Sequence, residues 1–430
     1  MATDTDREIR SGPLGTTSNG SGMSRPAVSR PRRVTLLGPL LLVLSVGLLG
    51  FNLWWYWRES RPLPDLKTLS DWVGKGEYDR AEPALQEHLR RSPNSGEVRT
   101  VLARVLAARN DLLGCARQLH EVPPWWPTMA DALYRAGQAY LMVDRAKDAE
   151  AVWQAVIERD PLHPRPPEIF HDTCLELLKL YSTEDRWEDA AVVIWRAYEE
   201  ANPVDHPILL SMRLRSELER VAPAEAIVPL ERYVAADPTD WEAIRALARV
   251  ELALGRREDA ERHFQACLKG QPENPRAWRD YLNMLNEAGD QEALESVLKR
   301  VPLGAEGEPD IWKLRGSLKE KARDWAGAAA DYRKALELNP YARGCHYRLA
   351  AVEQRLGNAE EAGRYRTQAD GLRDAQVKLR PAYAAFLDAL ARRNPEGPDL
   401  PTSLRQLAAI CETLGWARLA VACNELANAS

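Results

Sequence analysis

The sequence repeats itself at an offset of 34 residues, and that period constrains the fold more than any other feature. Trp278 and Trp312 stand 34 apart, Gly255, Gly289 and Gly357 are separated by 34 and twice 34, and the pairs Ala328/Ala362 and Pro238/Pro272 keep the same distance. Units beginning at Pro207, Trp241, Pro275, Pro309 and Arg343 follow one another without a gap. A length of 430 residues would otherwise suggest two or three globular domains. A fixed period of this size replaces that reading with an array of one supersecondary unit, each too small to bury its own apolar faces.

Within a unit the apolar positions 4, 7, 8 and 11 form one face of a first helix, and 20, 24 and 27 form the facing stripe of a second. Small residues at 8 and 20 let the backbones approach. A Gly or polar residue near 15 makes the turn, and Pro at 32 ends the second helix. The unit 309–342, PDIWKLRGSLKEKARDWAGAAADYRKALELNPYA, places Trp312, Gly316, Ala328, Tyr332, Ala335 and Pro340 at 4, 8, 20, 24, 27 and 32. The unit 130–163 places Gly137, Tyr140, Ala149, Trp153, Val156 and Pro161 at 8, 11, 20, 24, 27 and 32.

This pattern resembles the tetratricopeptide repeat, and the resemblance covers about three-quarters of the chain. It departs at position 11 of the unit 309–342, usually aromatic and here Lys319. The resemblance implies an all-α fold, an α-solenoid of stacked antiparallel helix pairs wound into a superhelix, here preceded by one transmembrane helix. The array runs over 62–376 as about nine units, with PRPPEIF inserted at 164–170 as a recognition loop or a spacer. Residues 377–430 read as a linker helix around 383–391, the breaker NPEGPDLP and a degenerate capping repeat from Pro401.

From Val34 to Trp57 the sequence carries no charge for 24 residues. As a helix rising about 1.5 Å per residue it spans roughly 36 Å, enough for a hydrocarbon core of about 30 Å. The run is longer than a signal-peptide core and lacks a small-residue cleavage site, so it reads as an uncleaved signal anchor. Trp54, Trp55, Tyr56 and Trp57 read as an interfacial belt in contact with the lipid bilayer. Arg25, Arg30, Arg32 and Arg33 precede it, and beyond it Arg58, Arg61 and Lys67 are mixed with Glu59 and Asp65. Basic flanks stay in the cytoplasm, which places the tail 1–33, read as disordered and basic, inside. The array is then extracytoplasmic, in the periplasm beside the inner membrane; the reversed topology is the alternative. The 47 Arg against 11 Lys fit a GC-rich bacterial genome.

Catalytic signatures are absent from the sequence. Gly74-Lys75-Gly76 is the turn of the first unit rather than a phosphate loop, and neither GxSxG nor HExxH occurs, so the chain reads as no enzyme and takes no cofactor. Cys115, Cys174, Cys267, Cys345, Cys411 and Cys423 form no CxxC pair and read as small core residues, with a Cys411–Cys423 disulfide open in an oxidising compartment. His163 and His171 flank the insertion without a third ligand, so no metal site is expected. Residues 58–430 carry 52 basic and 60 acidic side chains, a net of −8, which disfavours nucleic acid as a partner.

The repeat family lines its concave surface with positions 2, 5, 9, 12 and 13 of the first helices. On this chain the resemblance implies a groove formed by Arg245, Arg249, Arg276, Arg279, Asn283, Asn286, Lys313, Lys321, Tyr347 and Arg355, with Arg348 at position 6. Fewer acids fall there: Glu242, Glu287, Asp310 and Glu320. Some members clamp a terminal carboxylate. Arg279, Asn283 and Arg348 match that clamp, while Leu314 and Gly344 replace two of its members. The expected ligand is an acidic protein or peptide segment held by Arg; a solvated face of i,i+4 pairs is the structural alternative. The function so implied is a membrane-anchored scaffold for protein–protein interaction in the assembly or biogenesis of envelope components. A non-catalytic subunit of a membrane-associated enzyme or secretion complex is the alternative.

Overall fold

The structure, a computed structural model, describes residues 37–59, 62–158, 166–391 and 399–429. The tail 1–33, His163, Pro164 and Arg165 of the insertion and most of the NPEGPDLP breaker lie outside the described residues. All regular structure among the described residues is helical, in two units that divide after Leu63.

The first unit contains α1 (Leu37–Glu59), whose side chains are described for 44–56. Every one of those is exposed, and Leu44, Val46, Leu48, Leu49, Phe51 and Leu53 each show 56–65% of their surface. Among the described residues no helix is long and apolar enough to cross a membrane. The transmembrane span expected over 34–57 is therefore not shown, because the apolar run extends into positions 34–43, whose side chains lie outside the description.

The second unit is a run of helix pairs. They are α2 (Leu66–Gly74) with α3 (Tyr78–Arg91), α4 (Gly96–Ala108) with α5 (Leu112–His120), and α6 (Met129–Met142) with α7 (Ala146–Ile157). Next come α8 (Pro167–Thr183) with α9 (Trp187–Glu200), followed by α10 (His206–Leu218) and α11 (Pro223–Ala236). The array continues with α12 (Trp241–Ala253) and α13 (Arg257–Gly270), α14 (Pro275–Glu287) and α15 (Gln291–Leu298), and α16 (Pro309–Lys321) and α17 (Trp325–Leu338). It ends with α18 (Arg343–Leu356), α19 (Ala359–Leu390), α20 (Leu400–Thr413) and α21 (Ala417–Ala429). Residues 167–170 of the insertion form the first turn of α8, with Phe170 buried in the core.

One backbone feature recurs with the repeat. The residue at position 15 takes a left-handed conformation in Gly76, Asn110, Asp144, Asp185, Gly255, Gly289, Arg323, Gly357 and Gly415, with φ between +52° and +85°. That conformation reverses the chain between the two helices of a pair. The unit beginning at Pro207 places Val221 there, a β-branched residue that resists positive φ. Glu219 and Ala222 are extended instead, and α10 and α11 part company. Helix α11 packs on α12 and α8, while α10 packs on α9, α19 and α21.

A second recurrence ties each of three successive units to the one before it. Trp278 Nε1 donates to the Pro272 carbonyl at 2.7 Å, Trp312 Nε1 to Glu306 at 2.8 Å, and His346 Nε2 to Pro340 at 2.7 Å. These donors are 34 residues apart, as are their acceptors. The carbonyl can only accept, so Nε2 of His346 carries the proton. At position 11, Lys319 meets Asp331 of α17 at 2.7 Å, an ion pair where the family usually has an aromatic contact.

Small residues at position 8 permit the close approach within a pair. A Cβ on Gly137 would fall 2.1 Å from Nε1 of the fully buried Trp153, whereas one on Gly316 would fall 2.9 Å from the Tyr332 ring. Trp153 is pinned by its bond to the Tyr134 carbonyl at 3.1 Å. Overpacking costs about 1–3 kcal/mol and Ala regains about 1 kcal/mol of helix propensity over Gly. Gly137→Ala is therefore expected to destabilise by about 2 kcal/mol and Gly316→Ala by no more than about 1 kcal/mol. Equal shifts in their urea midpoints would contradict this account of the α6–α7 crossing.

The C-terminal helices close back on the middle of the array. Leu210 and Leu214 of α10 share one apolar cluster with Leu379, Phe386, Leu407, Cys411 and Cys423. Tyr383 donates to the Ser211 carbonyl at 3.2 Å, Arg380 to Leu218 at 2.9 Å, and Arg418 pairs with Glu199 at 2.7 Å. Helix α19 is continuous over 32 residues, where the sequence reading separates a repeat ending at 376 from a linker helix. All six cysteines are free and buried, and the Cys423 thiol is pushed up by its hydrogen bond with Cys411 and by burial.

Candidate binding groove

The first helices α12, α14, α16 and α18 carry the residues expected to line the groove, and the structure divides them into two sets. In α12 and α14 the cations are already bonded. Arg245 is 1% exposed, with Nε 3.0 Å from Glu242 and Nη1 2.8 Å from Asp280. Burial opposes its charge, but Asp280 and Glu242 outweigh burial and hold Arg245 protonated. Arg249 pairs with Asp185. Arg276 donates from both terminal nitrogens to the two carboxylate oxygens of Asp189, at 2.7 and 3.0 Å. Arg279 lies 3.1 Å from Asp280, 3.6 Å from Glu308 and 3.9 Å from Glu188. Asn283 and Asn286 are half-buried on the same helix.

In α16 and α18 the set is more open. Lys313 pairs with Asp310 and is half-buried. Lys321, Arg348 and Arg355 are exposed, and Tyr347 shows 64% of its surface. Arg348 reaches Glu320 at 3.4 Å, and Arg355 lies over the Trp325 ring at 5.9 Å.

Besides Glu242, Asp280 and Glu308, the acids that meet α12 and α14 come from the turn after α8 and the first turn of α9, Glu184-Asp185-Arg186-Trp187-Glu188-Asp189. Sequence reasoning missed this segment because it weighed only the charges on the first helices. Its anchor is Arg186, which donates to both oxygens of Glu150 at 2.7 Å, to Glu184 at 2.9 Å and to Asp189 at 2.7 Å, and lies over the Tyr181 ring at 4.5 Å. One guanidinium thus serves three carboxylates. Tyr181 completes the cluster by donating to Glu150 at 3.0 Å while accepting from Gln154 at 2.8 Å.

The cluster makes stability depend on pH in two directions. Burial raises the Glu184 carboxyl to about 8, with Arg186 pulling against it. An unfolded Glu titrates near 4.3, so the folded state holds an extra proton between those values and stability falls as pH rises through them. Asp189 behaves oppositely. Burial opposes its charge, but hydrogen bonds from Arg276 and Arg186 hold it at about 2. Its contribution is present above about 3.9 and is lost as pH falls toward 2. Glu184→Gln is expected to flatten the decline between pH 5 and 8, adding about 2–4 kcal/mol at pH 8 and little at pH 5, as read by urea melts. An unchanged decline in the variant would move its origin to another group.

Models of the tetratricopeptide repeat match residues 73–114, 131–163 and 241–284. The chain therefore carries tetratricopeptide repeats, modules that generally bind protein partners and generally act as non-catalytic scaffolds. No curated protein sequence matches the chain at a significant level. Among solved structures it is similar to the MamA 41-end fragment from Desulfovibrio magneticus RS-1, at 21% identity over 40% of this chain and 97% of that one, with a TM-score of 0.32. It is also similar to Pseudomonas aeruginosa pilF, at 17% identity over 51% and 90% of the two chains with a TM-score of 0.32. A monomeric mutant of IFIT1 solved with Gppp-AAAA gives 14% identity over 78% and 90%, with a TM-score of 0.34.

Proposed function

We propose that this protein is a membrane-anchored scaffold that holds an acidic segment of a partner protein in the groove of its repeats. The observation that carries the reading is the exposure of Lys321, Tyr347, Arg348 and Arg355 on α16 and α18. Cations beside an exposed aromatic ring suit a peptide bearing Asp or Glu, since Arg binds a carboxylate through two parallel hydrogen bonds. The matching repeats support a protein ligand in general.

Helix α1 supports the anchor: its exposed leucines, Val46 and aromatic rings over 44–56 are surface that water does not favour and lipid does. With Arg25, Arg30, Arg32 and Arg33 before it, the N-terminus is cytoplasmic and the repeats face the periplasm of a bacterial envelope, where the scaffold serves assembly or biogenesis. Anchoring raises the effective concentration of the groove for a membrane-bound partner. A C-terminal alkaline phosphatase fusion tests the orientation: activity is expected, and an inactive, stably expressed fusion would place the array in the cytoplasm. Proximity labelling from membranes tests the groove, with Lys321, Arg348 and Arg355 changed together to Glu. Loss of neighbours labelled by the wild type is expected, and an unchanged set would remove the groove from the account.

A further inference from the structure

We infer that the acidic turn Asp185–Asp189 occupies the arginines of α14 in the manner of a ligand, so that this half of the groove receives an acidic peptide only by exchange. The inference rests on the acidic-peptide reading above and concerns the half of the groove on α14 rather than the exposed set on α16 and α18.

Asp189 presents both carboxylate oxygens to the two terminal nitrogens of Arg276, the fork-to-fork geometry by which Arg takes a ligand carboxylate. The residues so joined are 87 apart in sequence. The bonds linking α9 to α14 are ionic, because the apolar side chains of α9 and α14 belong to separate clusters. Both partners are about a quarter exposed, so water and salt reach the pair. Arg279 donates to Asp280 at 3.1 Å, and its approaches to Glu308 and Glu188 are longer, at 3.6 and 3.9 Å.

The exchange leaves no charge stranded. Asp189 also accepts from Arg186 at 2.7 Å, so a peptide carboxylate taking Arg276 leaves Asp189 with its second cation. Arg186 is itself fixed by Glu150, which keeps the turn in place whether or not α14 is engaged. Asn283 lies one helical turn beyond Arg279 on α14, half-buried, and offers an amide to the incoming chain.

The test uses the full chain in detergent micelles and a fluorescein-labelled hexaglutamate peptide, read by anisotropy. Asp189→Asn with Glu188→Gln removes the internal competitor and is expected to tighten binding at least tenfold. Adding Arg276→Ala and Arg279→Ala should abolish the gain. Glu188→Gln alone leaves the Arg186 bonds intact and is expected to tighten binding two- to threefold, which keeps the test valid if the double variant unfolds. Equal affinity of wild type and Glu188→Gln, with both weakened by Arg276→Ala, would overturn self-occupancy and leave the acidic-peptide reading standing. Tightening that survives loss of both arginines would also overturn it. Absence of binding in every folded variant would overturn that reading and the inference together.

Discussion

Replacing Arg186 with Met is expected to lower the unfolding free energy of the repeat unit by about 3–5 kcal/mol, the loss typical of breaking a buried ion pair from one side. Met fills much of the same volume, so the effect isolates charge. Three carboxylates, those of Glu150, Glu184 and Asp189, lose their shared cation, and two of them are mostly shielded from water. Glu184, raised to about 8 by burial, is neutral at pH 5 and partly ionised at pH 8, so the loss should be larger at pH 8 than at pH 5. Arg186→Met combined with Glu184→Gln should recover part of it, because one uncompensated charge is then absent. Urea melts at both pH values measure this. A loss of less than about 1 kcal/mol at pH 8 would mean that the cluster is wetter than its burial indicates.

Replacing Phe386 with Ala is expected to cost about 3–5 kcal/mol, for its ring is fully buried in the cluster that docks α19, α20 and α21 on α10. The effect should spread unevenly. Amides of α10, α20 and α21 should exchange faster with solvent, while those of α4 to α7, which belong to other apolar clusters, should change little. Uniform acceleration along the whole array would contradict a separate C-terminal closure and point to a single cooperative unit.

The pairing within units was legible in the sequence because each pair is built from residues at most 34 apart: Trp153 over Gly137 and Tyr332 over Gly316 follow from the period itself. The opening of α10 from α11 was also written there, though unread. Val221 stands where nine other units have a left-handed residue, five of them Gly. The closure of the array was not legible. Asp189 and Arg276 meet across 87 residues, and Tyr383 and Ser211 across 172, by an arrangement that depends on the summed rotations of intervening repeats. For the same reason the expected groove looked locally basic, with few acids. Positions on α12 and α14 were placed by register, but Arg249 and Arg276 are balanced by Asp185 and Asp189, which no local pattern brings near. Arg245, assigned to the groove by position, is instead enclosed between Glu242 and Asp280.

The exposed cations of α16 and α18 are proposed to hold a protein partner. Proximity labelling in intact membranes, comparing wild type with the Lys321→Glu, Arg348→Glu, Arg355→Glu variant at matched expression and with an unchanged melting profile, tests it most directly. Selective loss of a small set of labelled neighbours, recovered when the three cations are restored, is the predicted result. An identical labelled set in the folded variant would contradict the claim.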